Sequence, residues 1–130
     1  PRTFAFMQLN LERPDYQYFL RGADGVSALV NDRRIERSFV IAPDALVEDW
    51  PVRDAGAMAP SDLDALFAQE PELIVLGTGA TQVFPPAVVM ATCLQRGIGL
   101  EVMTNAAAAR TYSVLAGEGR RVLAGFVFPS

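Results

Sequence analysis

Histidine is absent from this sequence, and so is lysine: all 11 basic side chains are arginine. The first absence excludes a Ser-His-Asp triad, a Cys-His pair, a histidine-ligated metal and any histidine acid–base step within the chain. The second excludes a Schiff base and the lysine of a Walker P-loop. Cysteine occurs once, at Cys93, so neither an intrachain disulfide nor a thiolate metal cluster can form. That thiol stands in the apolar run Ala87-Val88-Val89-Met90-Ala91-Thr92-Cys93-Leu94, where a buried, inert sulfur is expected. No stretch reaches the roughly 18 uninterrupted apolar residues of a membrane-spanning helix. Positive charge is scarce overall: the formal net charge is -4 and the pI about 4.7, which argues against a general nucleic-acid binder. Arg33, Arg34 and Arg37 cluster, as do Arg120 and Arg121. They read as solvated arginines beside turns, with a nucleic-acid contact for the first group as the weaker alternative. No metal and no cofactor is expected. Carboxylates, arginines, hydroxyls and backbone amides are left to carry any chemistry.

Apolar material, in contrast, is plentiful. Hydrophobic residues make up 51% of 130, which excludes the disordered class and suits one domain spanning 1–130. Residues 1–15, with Pro1 and Pro14, read in part as a loose N-terminal arm. No signal-peptide pattern is visible, and a cytoplasmic location is the default expectation; the chain opens at Pro1, so residues upstream are left open. Short apolar runs at 16–20, 26–30 and 35–42, separated by Arg21-Gly22-Ala23-Asp24-Gly25 and Asn31-Asp32, predict a β-meander. Residues 43–60 hold Pro43, Pro51 and Pro60 and read as an extended connector whose Trp50 caps the core.

The second half changes pattern. Ser61-Asp62-Leu63-Asp64 is a helix start, and Pro71 ends that helix. Leu73-Ile74-Val75-Leu76 is a continuous apolar run, as expected of a strand covered on both faces. Pro86 opens a helix to about Arg96, with Gly97 as its C-cap. A strand at 98–103 follows, then a helix capped by Asn105 and running to about Ala116, then a strand at 121–128. Alternating helices and strands predict an α/β domain: a three-layer arrangement of a mixed sheet with helices on both faces, preceded by the meander.

The sharpest local feature is Gly77-Thr78-Gly79 after the apolar strand. A dinucleotide fingerprint needs a third glycine and an immediate helix. Gln82 stands at the third position and Val83-Phe84-Pro85 delay the helix, so dinucleotide binding is not expected. The glycines read first as a sharp exit from the sheet, through backbone angles other residues avoid. Parallel strands at 73–76 and 98–103 would nevertheless bring loops 77–85 and 104–106 together at the strands' carboxyl ends, where α/β sheets bind ligands. Glu101, inside the second of these strands, is expected to be a buried acid, with Arg110 the nearest candidate partner in sequence. Arg110-Thr111-Tyr112-Ser113 is a polar group within an apolar helix; Thr111 and Tyr112 read as half-buried, and Arg110 either reaches to water or binds an anion. The candidate ligand-binding set is therefore Gly77, Thr78, Gly79, Glu101, Arg110 and Tyr112, with no catalytic residue assigned.

The strings LIVLGTGATQVFPP and RGIGLEVMTNAAAARTYSVLAGEGRRVLAGF, together with YFLRGADGVSALVN and SFVIAPDALVEDW, resemble a small α/β family of largely unknown function. That family includes the mitochondrial complex I assembly factor number three and the adipogenesis-associated domain protein of animals. The likeness spans roughly residues 16 to 128. It implies a three-layer fold, no catalytic residue, and a role in assembling a respiratory complex. The sequence departs from the family at Thr104-Asn105-Ala106, where members often carry Asp-Thr-Gly, and at Ala109, where members carry a cysteine. Both departures weaken any catalysis resting on that loop. The expectation is a non-enzymatic interaction or assembly factor with a protein partner, a membrane-bound complex being one candidate. The alternative is an anion-binding protein or enzyme with a site around Glu101 and Arg110.

Overall fold

The computed structural model describes residues 16–129, so the predicted arm at 1–15 lies outside the described residues. Among the described residues eight strands form two sheets. The smaller is an antiparallel meander of β1 (Leu20–Ala23), β2 (Ala28–Val30) and β3 (Arg33–Ile35). The larger has the order β5-β4-β8-β6-β7, with β4 (Phe39–Ala42), β5 (Ala45–Val47), β6 (Leu73–Gly77), β7 (Gly99–Met103) and β8 (Val122–Phe126). β6 runs parallel to both β7 and β8, whereas β4 is antiparallel to β8 and β5, so the sheet is mixed. Three α-helices follow the sequence pattern: α1 (Asp64–Phe67), α2 (Ala87–Gln95) and α3 (Asn105–Gly117), with 3-10 turns at Ala55–Ala57 and Pro60–Leu63.

Two cores lie on opposite faces of the large sheet. One joins Ile74, Leu76, Leu123 and Val127 to Leu63, Leu66, Val89 and Cys93, beneath α1 and α2. The other joins Val75, Phe39, Ile41, Ala124 and Phe126 to Ala108, Ala109 and Tyr112 of α3, and continues into Leu20, Ala28, Val30 and Ile35 of the meander. α3 is therefore packed between two sheets. This is why Tyr112, expected to be half-buried, is fully buried, its hydroxyl donating to the Tyr18 carbonyl at 3.4 Å. Burial raises that phenol above its ordinary range.

Several boundaries differ from the sequence reading, each for a local reason. The run at 35–42 is two strands in different sheets. The chain leaves the meander at Glu36-Arg37, and Ser38 anchors the change: its buried hydroxyl accepts from Phe128 N at 2.9 Å and donates to the Val52 carbonyl. The connector contains β5, paired with β4 through Ala42↔Ala45 in a tight hairpin. The first turn lies at Asp24–Ser27. Asp24 Oδ1 accepts from Val26 N and Ser27 N, both at 2.9 Å, and these bonds hold its carboxyl below the usual range. Trp50 closes the α2-side core as expected, its ring over Gly125 and its indole N–H on the Asp62 carbonyl at 2.9 Å.

Candidate functional site

In open α/β sheets a crevice forms where loops from adjacent parallel strands depart to opposite faces. β6 and β7 satisfy this condition, since α2 covers one face and α3 the other. The two loops do meet at the carboxyl ends of these strands. Thr78 N donates to the Met103 carbonyl at 3.0 Å, Asn105 N to the Gly79 carbonyl at 2.9 Å, and Gln82 Nε2 to the Val102 carbonyl at 2.7 Å.

The crevice is filled by the protein's own polar groups. Asn105 is wholly buried and uses its entire amide. Oδ1 accepts from Gly79 N at 3.1 Å, while Nδ2 donates to the carbonyls of Asp24 at 3.0 Å and Val127 at 3.2 Å. One side chain thus joins the glycine loop, the first meander turn and the exit of β8. Thr78 Oγ1 donates to the Thr81 carbonyl at 2.7 Å and accepts from Val83 N at 2.9 Å, which closes the loop on itself. The helix cap is Thr104 and not Asn105: Thr104 Oγ1 accepts from Ala107 N at 3.2 Å. Sequence reasoning missed this because Thr and Asn are both good caps and stand side by side.

The two glycines serve different ends. Gly79 has φ +106°, a backbone conformation that favours glycine. Gly77 is needed for space: a Cβ there would collide with Asn105 Oδ1 and stand 3.0 Å from the Phe126 ring. The expectation that both glycines supply unusual backbone angles is therefore corrected for Gly77.

The six candidate residues fall into separate places. Gly77, Thr78 and Gly79 share the rim with Thr104 and Asn105. Glu101 is exposed, not buried, because β7 is the sheet's outermost strand and α3 lies over β6 and β8 rather than over it. No ion pair joins Glu101 to Arg110 among the described residues. Arg110 instead lies on a groove of about 470 Å³ between β1 and α3, and Tyr112 is enclosed beneath the meander. Cys93 is buried, and burial pushes its thiol up. Of the clustered arginines, Arg33 forms a two-pronged bond with Glu48 at 2.6 and 2.9 Å, and Arg121 bridges Asp44 at 2.7 Å and the Gln69 carbonyl at 2.9 and 3.0 Å.

A different surface was overlooked in the sequence. Phe84, Val88 and Leu94 are 59%, 56% and 78% exposed. The signal was available, because seven of the nine residues of Ala87–Gln95 are apolar while Val89 and Cys93 are the ones buried in the core. No helix among the described residues is long and apolar enough to cross a membrane.

The mixed α/β fold of two sheets is similar to that of a solved Mth938-like domain. A Bordetella pertussis protein of that description aligns with a TM-score of 0.73 at 27% identity, over 87% of this chain and 88% of that one. The chain belongs to the family described as protein of unknown function (DUF498/DUF598), whose model matches residues 21–127. A Xanthomonas campestris protein solved by NMR is 56% identical, with a TM-score of 0.80 over 92% of this chain and 90% of that one. A curated relative, the 13 kDa major membrane protein of Francisella tularensis subsp. holarctica, is 32% identical over 71 residues. That alignment takes in 55% of this chain and spans only 58% of the relative's length.

Proposed function

We propose that the chain is a non-enzymatic protein-interaction module that helps build a larger assembly, and that it docks through the outward face of α2. The observation that carries this reading is the exposure of Phe84, Val88 and Leu94 around the exposed Ala87 and Ala91. Grouped apolar side chains on a surface mark a contact with another molecule. The sparse catalytic side chains agree with this reading. A partner within a membrane-bound complex, met on the cytoplasmic side, is supported by the resemblance to respiratory complex I assembly factors. The description of the Francisella relative as a membrane protein points the same way.

A second reading is an anion-binding protein, although Gly77, Thr78, Gly79, Glu101, Arg110 and Tyr112 do not converge on one site. Its support is Arg110, an exposed cation with no partner among the described residues. The commitment of the Thr78 and Gly79 amides to Met103 and Asn105 favours the first reading.

Affinity capture from native cells, with wild type and a Val88→Asp, Leu94→Asp double variant, tests the proposal. The wild type is expected to recover a stoichiometric protein that the variant loses, at unchanged melting temperature. Repeated capture of nothing stoichiometric, or full retention by the variant, would overturn it.

A further inference from the structure

The groove between β1 and α3 is a second apolar feature that stays open among the described residues. Ala23, Ala106 and Ala109 form much of its floor, Val114 stands 60% exposed beside it, and Arg21 and Arg110 come from opposite walls. The groove is lined by two arginines and no acidic residue, in a chain whose net charge is -4. Arg110 has no partner among the described residues. Arg21 makes a single contact, with Asp32 at 3.3 Å, and its side chain is 53% exposed. The Arg110 guanidinium, and the Arg21 donors not engaged by Asp32, can bind carboxylates through N–H donors.

We propose that this groove receives an acidic amphipathic helix of the same partner, an inference that rests on the interaction reading above. The alanine floor lets a helix backbone approach closely, because nothing projects beyond Cβ. Carboxylates one turn apart on that helix meet Arg21 and Arg110. An extended strand fits less well. β1 is an edge strand, but its register shifts between Leu20 and Gly22, and the Leu20 carbonyl already accepts from Ser113 Oγ at 3.2 Å. The continuous row of backbone groups that strand addition uses is therefore broken.

Site-specific cross-linking tests the proposal in the native cell. One chain carries benzoylphenylalanine in place of Val114, and a second carries it in place of Val88. The peptides captured are identified by mass spectrometry. From position 114 the expected product is a segment of helical periodicity with acidic residues three or four apart. Its yield should fall roughly tenfold when Arg110→Glu is added, as reversal of a charge at an interface demands. Arg110 is exposed, so an unchanged melting temperature separates loss of binding from loss of fold. A lipid adduct, a segment without acids, a yield indifferent to Arg110→Glu, or no product from position 114 would overturn the groove assignment. A product from position 114 with none from 88 would sink the α2 reading and leave the groove standing. The converse would leave α2 standing and sink the groove.

Discussion

Replacing Asn105 by aspartate tests the central geometric claim, because it changes one atom group and almost no volume. The side chain is fully buried, and its Nδ2 faces two carbonyls, those of Asp24 and Val127, at 3.0 and 3.2 Å. In Asn105→Asp an oxygen faces those carbonyls. The protonated acid can still donate to one of them, so at low pH one bond is lost, at about 1 kcal/mol. The ionised acid donates to neither and is desolvated, and fully buried carboxyls can be raised by up to ~3–5 pH units. The introduced group thus keeps its proton in the folded state at pH values where the unfolded chain, titrating near ~4, has lost it. Stability is retained below ~4 and falls as pH rises, by about 1.4 kcal/mol per pH unit until the folded-state pKa is reached. The total cost at pH 7 is then ~4–5 kcal/mol, against ~5–15 kcal/mol for a whole domain. Asn105→Ala leaves two buried groups and one half-buried carbonyl unpaired and is expected to cost ~3–5 kcal/mol with no such slope. Urea unfolding of wild type and both variants at pH 5.5, 6.5 and 7.5 reads the difference directly. A penalty for Asn105→Asp that stays level across that range, or remains under ~1 kcal/mol at pH 7.5, would refute the buried-hub geometry.

Three further outcomes follow from the packing. Gly125→Ala would drive a Cβ to 2.7 Å from Trp50 Cη2; thermal unfolding should report ~1–3 kcal/mol of destabilisation, and a neutral result would mean that the indole does not sit over β8. Ser38→Ala leaves the Phe128 amide unpaired in a buried site; ~1–3 kcal/mol should be lost in urea titration, and a wild-type midpoint would contradict the anchor. Cys93 should resist an aromatic disulfide reagent in the native protein and react in full once urea unfolds it, because burial disfavours the thiolate; prompt native labelling would show that the α2-side core is open.

The sequence is legible where local chemistry dictates structure. The apolar run of β6, Pro86 ahead of α2 and Gly97 after it all mark real boundaries, because each rests on neighbours a few residues away. The break between β3 and β4 was invisible, since Glu36-Arg37-Ser38 contains neither glycine nor proline. Glu101 misled for a related reason. Alternation gives the face a strand residue occupies, but not whether the strand lies inside the sheet or at its border, and β7 is at the border. Tyr112 shows the reverse error: the meander's apolar side was recognisable, yet nothing local says that it folds over α3. The rim was half legible. Two loops were expected to meet and do, but the partners that fill the space between them, Asp24 and Val127, come from distant parts of the chain.

Strand β8 lies between β4 and β6, although both precede it in the chain. During synthesis these two strands have emerged while the element that joins them is still being made. Until residues 122–126 clear the ribosome, each presents an open apolar border to whatever is near. In the finished sheet the middle strand covers both borders at once. A stop codon anywhere before residue 122 would leave two half-sheets with nothing to join them.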